Sequence, residues 1–176
     1  MSVTLGQLQD VCRVATQRRL QSFLEPFNDA MHEFEIDTPQ REAAFIAQIA
    51  HESGEFRYVR EIASGDAYEN RADLGNLQPG DGRRFRGRGL IQITGRDNYR
   101  KCGDALSVDL VADPELLEGT VLACRSAAWF WQDHGLNELA DKSDFRTITK
   151  RINGGLTGWQ DRLMYYERAK QILGVA

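Results

Sequence analysis

The chain has little cysteine, no long apolar run and no excess of positive charge. Its three cysteines, Cys12, Cys102 and Cys124, are odd in number and lack metal-ligand spacing. That speaks against a disulfide framework and favours synthesis in a reducing compartment, with the thiols as small core residues. Nowhere do about 18 apolar residues stand together, as a membrane-spanning helix requires. The amino terminus, MSVTLGQLQDVCRV, has no basic start followed by an apolar run, so no secretion signal is read from it. We expect no stable membrane insertion, and something else must deliver the protein to any substrate outside the cytoplasm. A net charge of -4 gives no general pull toward nucleic acid or anionic membrane. Internal repeats, low-complexity tracts and ligand clusters for a metal or cofactor are missing too, and none of these groups is expected.

The 176 residues suffice for one domain, in which about 70 % of the unfolded surface is buried on folding. With 41 % hydrophobic and 27 % charged residues, the composition is that of an ordinary globular chain. The expectation is a single domain over 1–176, a monomer, with no separate binding module.

The most informative stretch runs from Ala43 to Glu61, AAFIAQIAHESGEFRYVRE. Phe45, Ile46 and Ile49 stand at helical spacing, and Gln48 is the one polar residue between Ala43 and Ala50, so a helix sunk in a core is predicted. Thr38 and Pro39 punctuate its start, and Ser53-Gly54 its end. His51 and Glu52 therefore occupy the last turn. There partial burial and the negative end of the helix dipole both disfavour a bare carboxylate, as a general acid requires, which makes Glu52 the first catalytic candidate. A zinc-protease reading fails, because HExxH needs a second histidine where Glu55 stands.

Elsewhere the pattern is mainly helical. Leu5, Leu8, Val11, Cys12 and Ala15 mark one amphipathic helix, and Leu20 to Phe34 a second, kinked or broken at Pro26. From Ala63 to Arg88 the chain is crowded with Gly, Asp, Asn and Arg, and reads as the irregular wall of a cleft. Gly87 and Gly89 let backbone pass close to a neighbour, and Leu90 to Thr94 alternate weakly, so a very short β segment presents Gln92 and Thr94 together. GxGxxG fails at Gln92. Arg83, Arg84, Arg86 and Arg88 are a weak nucleic-acid signal beside one aromatic, Phe85; pairing with Asp66, Asp73 or Asp81 is the simpler reading. Helices follow around Leu116, from Val121 to Trp131, from Phe145 to Ile152 and from Trp159 to Leu173, the third ending in Asn153-Gly154-Gly155.

An acid at Glu52 calls for a second carboxylate, and Glu55, Glu61, Asp66 and Glu69 are within reach. On one continuous helix Glu61 would lie about 13 Å from Glu52 on the opposite face, but a reversal at Gly54 removes that objection. A separation of roughly 6.5 to 9.5 Å would admit a water and imply inversion; about 5 Å would imply retention.

The strings AHESGEFRYVRE, GRGLIQITGRDNY and INGGLTGWQDR, in this order, resemble the glycoside hydrolase family 19 chitinases, most of all their phage and prophage endolysin branch. The resemblance runs from about Asp37 to Leu173. It implies a lysozyme-like, mainly α fold and an inverting, metal-free glycosidase. It further implies Glu52 as acid, Glu61 as base, Thr94 as the hydroxyl that helps hold the water, Gln92, Asn98 and Asn153 as sugar-binding residues, and Arg162 as an arginine near the acid. One departure stands out: Glu55 replaces the second glycine of the ESGGF that relatives commonly carry. Between chitin and peptidoglycan, a chain without a signal or chitin-binding module fits a peptidoglycan-cutting endolysin. It would be made in the cytoplasm of a host bacterium and released to the wall with a holin's help, the arginines near the cleft meeting the polymer's carboxylates.

Overall fold

Thr4 opens the structure with a reciprocal cap: its hydroxyl accepts the Gln7 amide at 3.2 Å, and the Gln7 side chain accepts the Thr4 amide at 2.9 Å. A computed structural model describes residues 2–175; Met1 and Ala176, the ends of the expected 1–176 domain, lie outside the described residues. The first helix, α1, is Leu5–Val11, so Ala15 falls in the loop beyond it. Next, α2 (Gln17–Glu33) runs unbroken through Pro26. Proline costs one ladder hydrogen bond there, but Phe23 and Phe27 are buried on either side of it and hold the helix to the core.

The central helix α3, Pro39–Glu52, starts and stops where its punctuation puts it. Thr38 Oγ1 accepts the Arg41 amide, Pro39 occupies the first turn, and Ser53 is the C-cap. Every residue from Ala43 to Ala50 is buried. Phe45 stacks on Phe27 at 5.2 Å and meets Trp131 edge-on at 5.3 Å, while Phe56 packs on Phe23 and Phe27 at 5.5 and 5.1 Å. These rings knit α2, α3 and the helix that carries Trp131 into one core.

The excursion from 63 to 88 contains two 3-10 turns, Asp66–Tyr68 and Ala72–Leu74, and a single helical turn, α4 (Asp81–Arg84). It is ordered by polar cross-links rather than by apolar burial. Glu69 accepts the amides of Gly80 and Gly82 at 2.7 and 2.8 Å, Asn76 bridges Tyr68 and Arg96, and Asp81 pairs with Arg96 at 2.6 Å. The expected β segment reduces to two isolated antiparallel bridges, Arg60 with Arg88 and Arg88 with Ile93.

After it come α5 (Arg96–Leu106), α6 (Thr120–Asp133), α7 (Leu136–Asp141), α8 (Phe145–Asn153) and α9 (Trp159–Leu173), with a 3-10 turn at Pro114–Glu118. The sequence pattern did not mark α5 or α7. In α5 five charged residues mask a buried stripe of Tyr99, Cys102 and Leu106, and α7 has six residues, too few for a period. Along its length α3 packs against α9, and α2 against α6. No helix among the described residues is long and apolar enough to cross a membrane.

Candidate active site

Glu52 ends α3 with its side chain one-fifth exposed, and its Oε1 accepts from Arg162 Nη2 at 2.5 Å. Arg162 comes from the first turn of α9 and is itself buried. A buried guanidinium needs further acceptors. They are Gln48 Oε1 and the Thr157 carbonyl, while Gln48 Nε2 donates in turn to Thr149 Oγ1 at 2.8 Å. Thr149, Gln48, Arg162 and Glu52 thus form one chain of hydrogen bonds from α8 through α3 to α9. Gln48, the lone polar residue of an apolar stretch, is its inner link, and that oddity of sequence was the signal that could have revealed it. Beside it His51 Nδ1 meets Asp161 Oδ2 at 2.6 Å, a second tie between the end of α3 and the start of α9.

Beyond Glu52 the chain reverses through Gly54, Glu55 and Phe56, all at positive φ (57°, 59° and 65°). Two of these are not glycine, and each costs on the order of 1 kcal/mol in this region. The interactions that hold them there are clear. Glu55 Oε2 accepts the amides of Val14 and Ala15 at 2.6 and 2.8 Å, and its Oε1 accepts from Tyr165 Oη at 2.8 Å. Phe56 is buried, its amide donates to Ser53 Oγ at 2.7 Å, and its carbonyl accepts from Arg19 Nε at 2.7 Å. Glu55 is therefore a clamp tying the reversal to the α1–α2 loop and to α9, and its oxygens are turned away from Glu52's partners. The positive φ also gives the physical reason why glycine suits this position in ESGGF-type sequences.

The reversal leads into the wall that carries Glu61. Backbone bonds from Glu61 N to the Gly87 carbonyl and from Gly89 N to the Val59 carbonyl, both 2.9 Å, lay this strand of chain beside residues 87–89. Glu61 Oε2 accepts from Tyr68 Oη at 3.0 Å; Oε1 is buried and has no partner among the described residues. Burial, and then the acceptor Glu61, raise the pKa of Tyr68, so its hydroxyl stays a donor. A Cβ on Gly87 would stand 2.8 Å from Gln92 Oε1 and 2.9 Å from Glu61 Oε2. Glycine at 87 is what lets those two side chains approach across the backbone.

Gln92 sits at φ 60°, aimed by a backbone conformation that few non-glycine residues adopt. Its Nε2 donates to the Gly89 carbonyl at 2.8 Å, Thr94 Oγ1 donates to the Gln92 carbonyl at 2.9 Å, and Asn98 Nδ2 donates to the Thr94 carbonyl at 2.8 Å. These bonds fix the three side chains and leave each amide its oxygen and one N–H, and Thr94 its lone pairs. All three line one cavity of 310 Å3, whose lining also includes Trp129 and Phe130 of α6 and Ile152 of α8. A polar rim facing aromatic rings suits a sugar, whose hydroxyls and C–H faces need both.

The structure thus gathers Gln92, Thr94 and Asn98 in one cavity, sets Glu61 against Gln92 at Gly87, and joins Glu52 to Arg162. Asn153 is exposed at the end of α8, next to the lining residue Ile152 but outside the cavity. The sequence pattern does not single out Tyr68 or the α6 aromatics as site residues; it gives only a helix from Val121 to Trp131. Three of the four clustered arginines are committed internally, while Arg86 is in no ion pair among the described residues and its Nε is buried without a partner. Arg83 pairs with Asp66, Arg84 donates to the carbonyls of Val111 and Ala112, and Arg88 is buried against Glu118 and Glu115 at 2.8 and 3.3 Å. Asp73 and Asp81, offered as their partners, are held by Arg71 and Arg96 instead.

Residues 25–143 match the family model described as chitinase class I of glycoside hydrolase family 19. A glycosyl hydrolase family 19 domain-containing protein of Haemophilus influenzae is 34 % identical over 158 residues, covering 72 % of this chain and 76 % of that protein. Endochitinase 1 of Solanum tuberosum is 33 % identical over 183 residues, covering 81 % of this chain, which spans 57 % of the potato protein. In three dimensions the chain is similar to a bacterial family 19 chitinase with a TM-score of 0.78 and 25 % identity, over 99 % of this chain and 96 % of that one. With chitinase C of Streptomyces griseus the TM-score is 0.82 at 24 % identity, a likeness of fold, covering 99 % of this chain and 77 % of the other.

Proposed function

Because the chain belongs to glycoside hydrolase family 19, we propose that it hydrolyses the β-1,4 bonds of the peptidoglycan glycan strand by an inverting acid/base mechanism. The observation that carries this reading is the state of Glu61: Tyr68 holds one oxygen, and the other is buried without a partner among the described residues. A buried carboxylate oxygen left unpaired calls for a donor, and a nucleophilic water would supply it. Thr94, its proton given to the Gln92 carbonyl, keeps lone pairs to accept that water's second hydrogen. Water then attacks the anomeric carbon and passes a proton to Glu61 as the glycosidic C–O bond breaks. Glu52, whose Oε1 is taken by Arg162, gives a proton from Oε2 to the leaving oxygen. Arg162 fixes the orientation of that acid through a buried network, so little rearrangement is needed when substrate arrives.

Peptidoglycan is favoured by charge at the sugar cavity. Lys101 and Asp133, opposite in sign, share its lining with Gln92 and Thr94; a glycan bearing peptides has carboxylates and amines to meet them, and a neutral polymer such as chitin has neither. The setting that goes with this reading is a monomeric lysin made inside a bacterium and delivered to the wall at lysis through a holin-type pore. A chitinase is the second reading, favoured by the endochitinases among the relatives. The test compares reducing ends released from purified sacculi and from N-acetylglucosamine hexamer, with mass analysis of the new ends. We expect faster cutting of sacculi, and a loss of roughly 10²- to 10⁴-fold in Glu52→Gln. Faster cutting of the hexamer would establish the chitinase, and no cutting of either would reject the hydrolase.

A further inference from the structure

We propose that Lys101 is a specificity-determining residue, whose ammonium binds a carboxylate carried by the substrate sugar or its peptide at the cavity of Gln92, Thr94 and Asn98. This rests on the peptidoglycan reading above and deepens it. Four observations lead to it.

Of the arginines from which attraction to an acidic polymer was expected, Arg83, Arg84 and Arg88 are spent on Asp66, on backbone carbonyls and on Glu115 and Glu118, Arg86 has its Nε buried without a partner among the described residues, and none of the four lines this cavity. Lys101 lines it and is exposed at its rim. The ion pairs of its own helix are Arg96 with Asp81 and Arg100 with Asp97; Lys101 is in no ion pair among the described residues. Asp133, on α6, lines the cavity too; it lies 3.7 Å from His134 Nδ1 and is in no ion pair with Lys101. The lining therefore holds a cation with no ion-pair partner among the described residues, one helical turn from Asn98, at i+3, together with the apolar Trp129, Phe130 and Ile152.

A sugar ring stacked on those aromatics would lie in the same cavity as Asn98 and Lys101, with its substituents available to them. N-acetylglucosamine offers only neutral groups there. A muramyl residue adds a lactyl ether ending in a carboxylate or in a peptide that bears carboxylates, and a compact ammonium at the rim would pair with such a group. Chitin gains nothing from the charge, so Lys101 would separate the two polymers by attraction to one of them.

The experiment uses the whole chain with Lys101→Met, which keeps the apolar stem, and Lys101→Arg, which keeps the charge. Each is assayed as kcat/KM on sacculi and on N-acetylglucosamine hexamer, at low and high ionic strength. For a rim ion pair we expect Lys101→Met to lose about three- to tenfold on sacculi, mostly in KM, and less than twofold on the hexamer. The wild-type advantage should shrink with salt, and Lys101→Arg should restore most of it. Equal losses on both substrates, or none on sacculi, would overturn the proposal. Binding separates it from the function on which it rests. A soluble disaccharide peptide from peptidoglycan and neutral chitobiose are titrated into Glu52→Gln with and without Lys101→Met. If sacculi resist the wild-type enzyme, the hydrolytic reading fails. Preference for the disaccharide peptide, lost with Lys101→Met, would then still uphold the carboxylate site, and indifference would remove it.

Discussion

Replacing Glu55 separates two roles that a sequence leaves confounded, because this carboxylate stands three residues from the candidate acid and was one of four possible bases. Its oxygens accept two backbone amides and a tyrosine hydroxyl. In Glu55→Gln the amide oxygen still accepts from Val14 and Ala15, and Tyr165 can turn its hydroxyl to accept from the new NH2. What is lost is the charge on these bonds, about 1–2 kcal/mol in all. In Glu55→Ala two amides lose their partner at about 1–3 kcal/mol each. Val14 is well exposed, so water repairs part of that, and a net loss of about 2–4 kcal/mol is expected. For a chain of this size 1 kcal/mol shifts Tm by about 2–4 °C, so the alanine variant should melt roughly 5–15 °C lower and the glutamine variant about 2–8 °C lower. Glu55→Gly should fall between them, about 1 kcal/mol above alanine, because position 55 has a φ of 59°.

Scanning calorimetry gives the order glutamine, glycine, alanine, and a reducing-end assay well below Tm gives the activity. Glu55→Gln should keep activity within about twofold of wild type, since both oxygens of Glu55 are taken by Val14, Ala15 and Tyr165 and Glu55 does not line the cavity of Gln92, Thr94 and Asn98. A variant that melts like wild type yet loses 10²-fold or more in kcat would refute the reasoning and return Glu55 to the base role.

Other expectations follow from the same geometry. Gly87→Ala forces the ends of Gln92 and Glu61 aside while leaving the backbone intact, so kcat should drop about 100-fold with a Tm change under about 4 °C, read by steady-state kinetics and melting. Gln48→Leu removes the acceptor of Arg162 and the donor to Thr149; a loss of about 2–4 kcal/mol by denaturant unfolding, with at least a tenfold fall in kcat, is expected. Burial raises the pKa of Tyr68, Tyr99, Tyr165 and Tyr166. The sign is that of a raised group: the stability they contribute is whole below about pH 10, the unfolded value, and is lost as pH rises beyond it. In a Tyr58→Phe background, which removes the one exposed tyrosine, a spectrophotometric titration should therefore show phenolate absorbance appearing together with unfolding, and phenolate formed at pH 10 in that still-folded protein would contradict it.

Glu52 was legible because its position depends on local rules. Thr38 and Pro39 start a helix, eight residues without a break are buried, and Ser53-Gly54 stops it, so the acid's place at a helix end follows from a window of about fifteen residues. Gly87 was legible in kind, since glycine beside polar residues signals close backbone approach, although what approaches it was not. The role of Glu55 was hidden because its partners lie 40, 41 and 110 residues away along the chain. Arg162 could be placed near the acid only by resemblance; the bond to Gln48 spans 114 residues, and no periodicity encodes it. Tyr68 and Lys101 were obscured for a different reason. Both sit in charged, irregular or densely polar sequence, where a residue facing a cleft looks the same as one facing water.

Glu52 and Glu61, the proposed acid and base, are held by different physical means, and that difference sets what the turn between them must do. Glu52 rests on a buried network in the helical core, where Gln48, Thr149 and Arg162 are almost wholly enclosed. Glu61 rests on a wall with little apolar content, fixed by hydrogen bonds of Glu69, Asn76 and Asp81 to backbone and to Arg96. Apolar packing resists displacement because many contacts must be lost at once, whereas a wall of exposed polar ties opens more readily. The spacing between the two carboxylates then depends on the residues that join wall to core, namely the left-handed turn from Gly54 to Phe56 and the pairing of Val59 with Gly89. Phe56 fastens that turn by burial and Glu55 by accepting hydrogen bonds from the loop behind it. Glu55 thereby helps set the spacing of Glu52 and Glu61, which is a physical reason for keeping an oxygen acceptor at position 55 when glycine alone would relieve the strain.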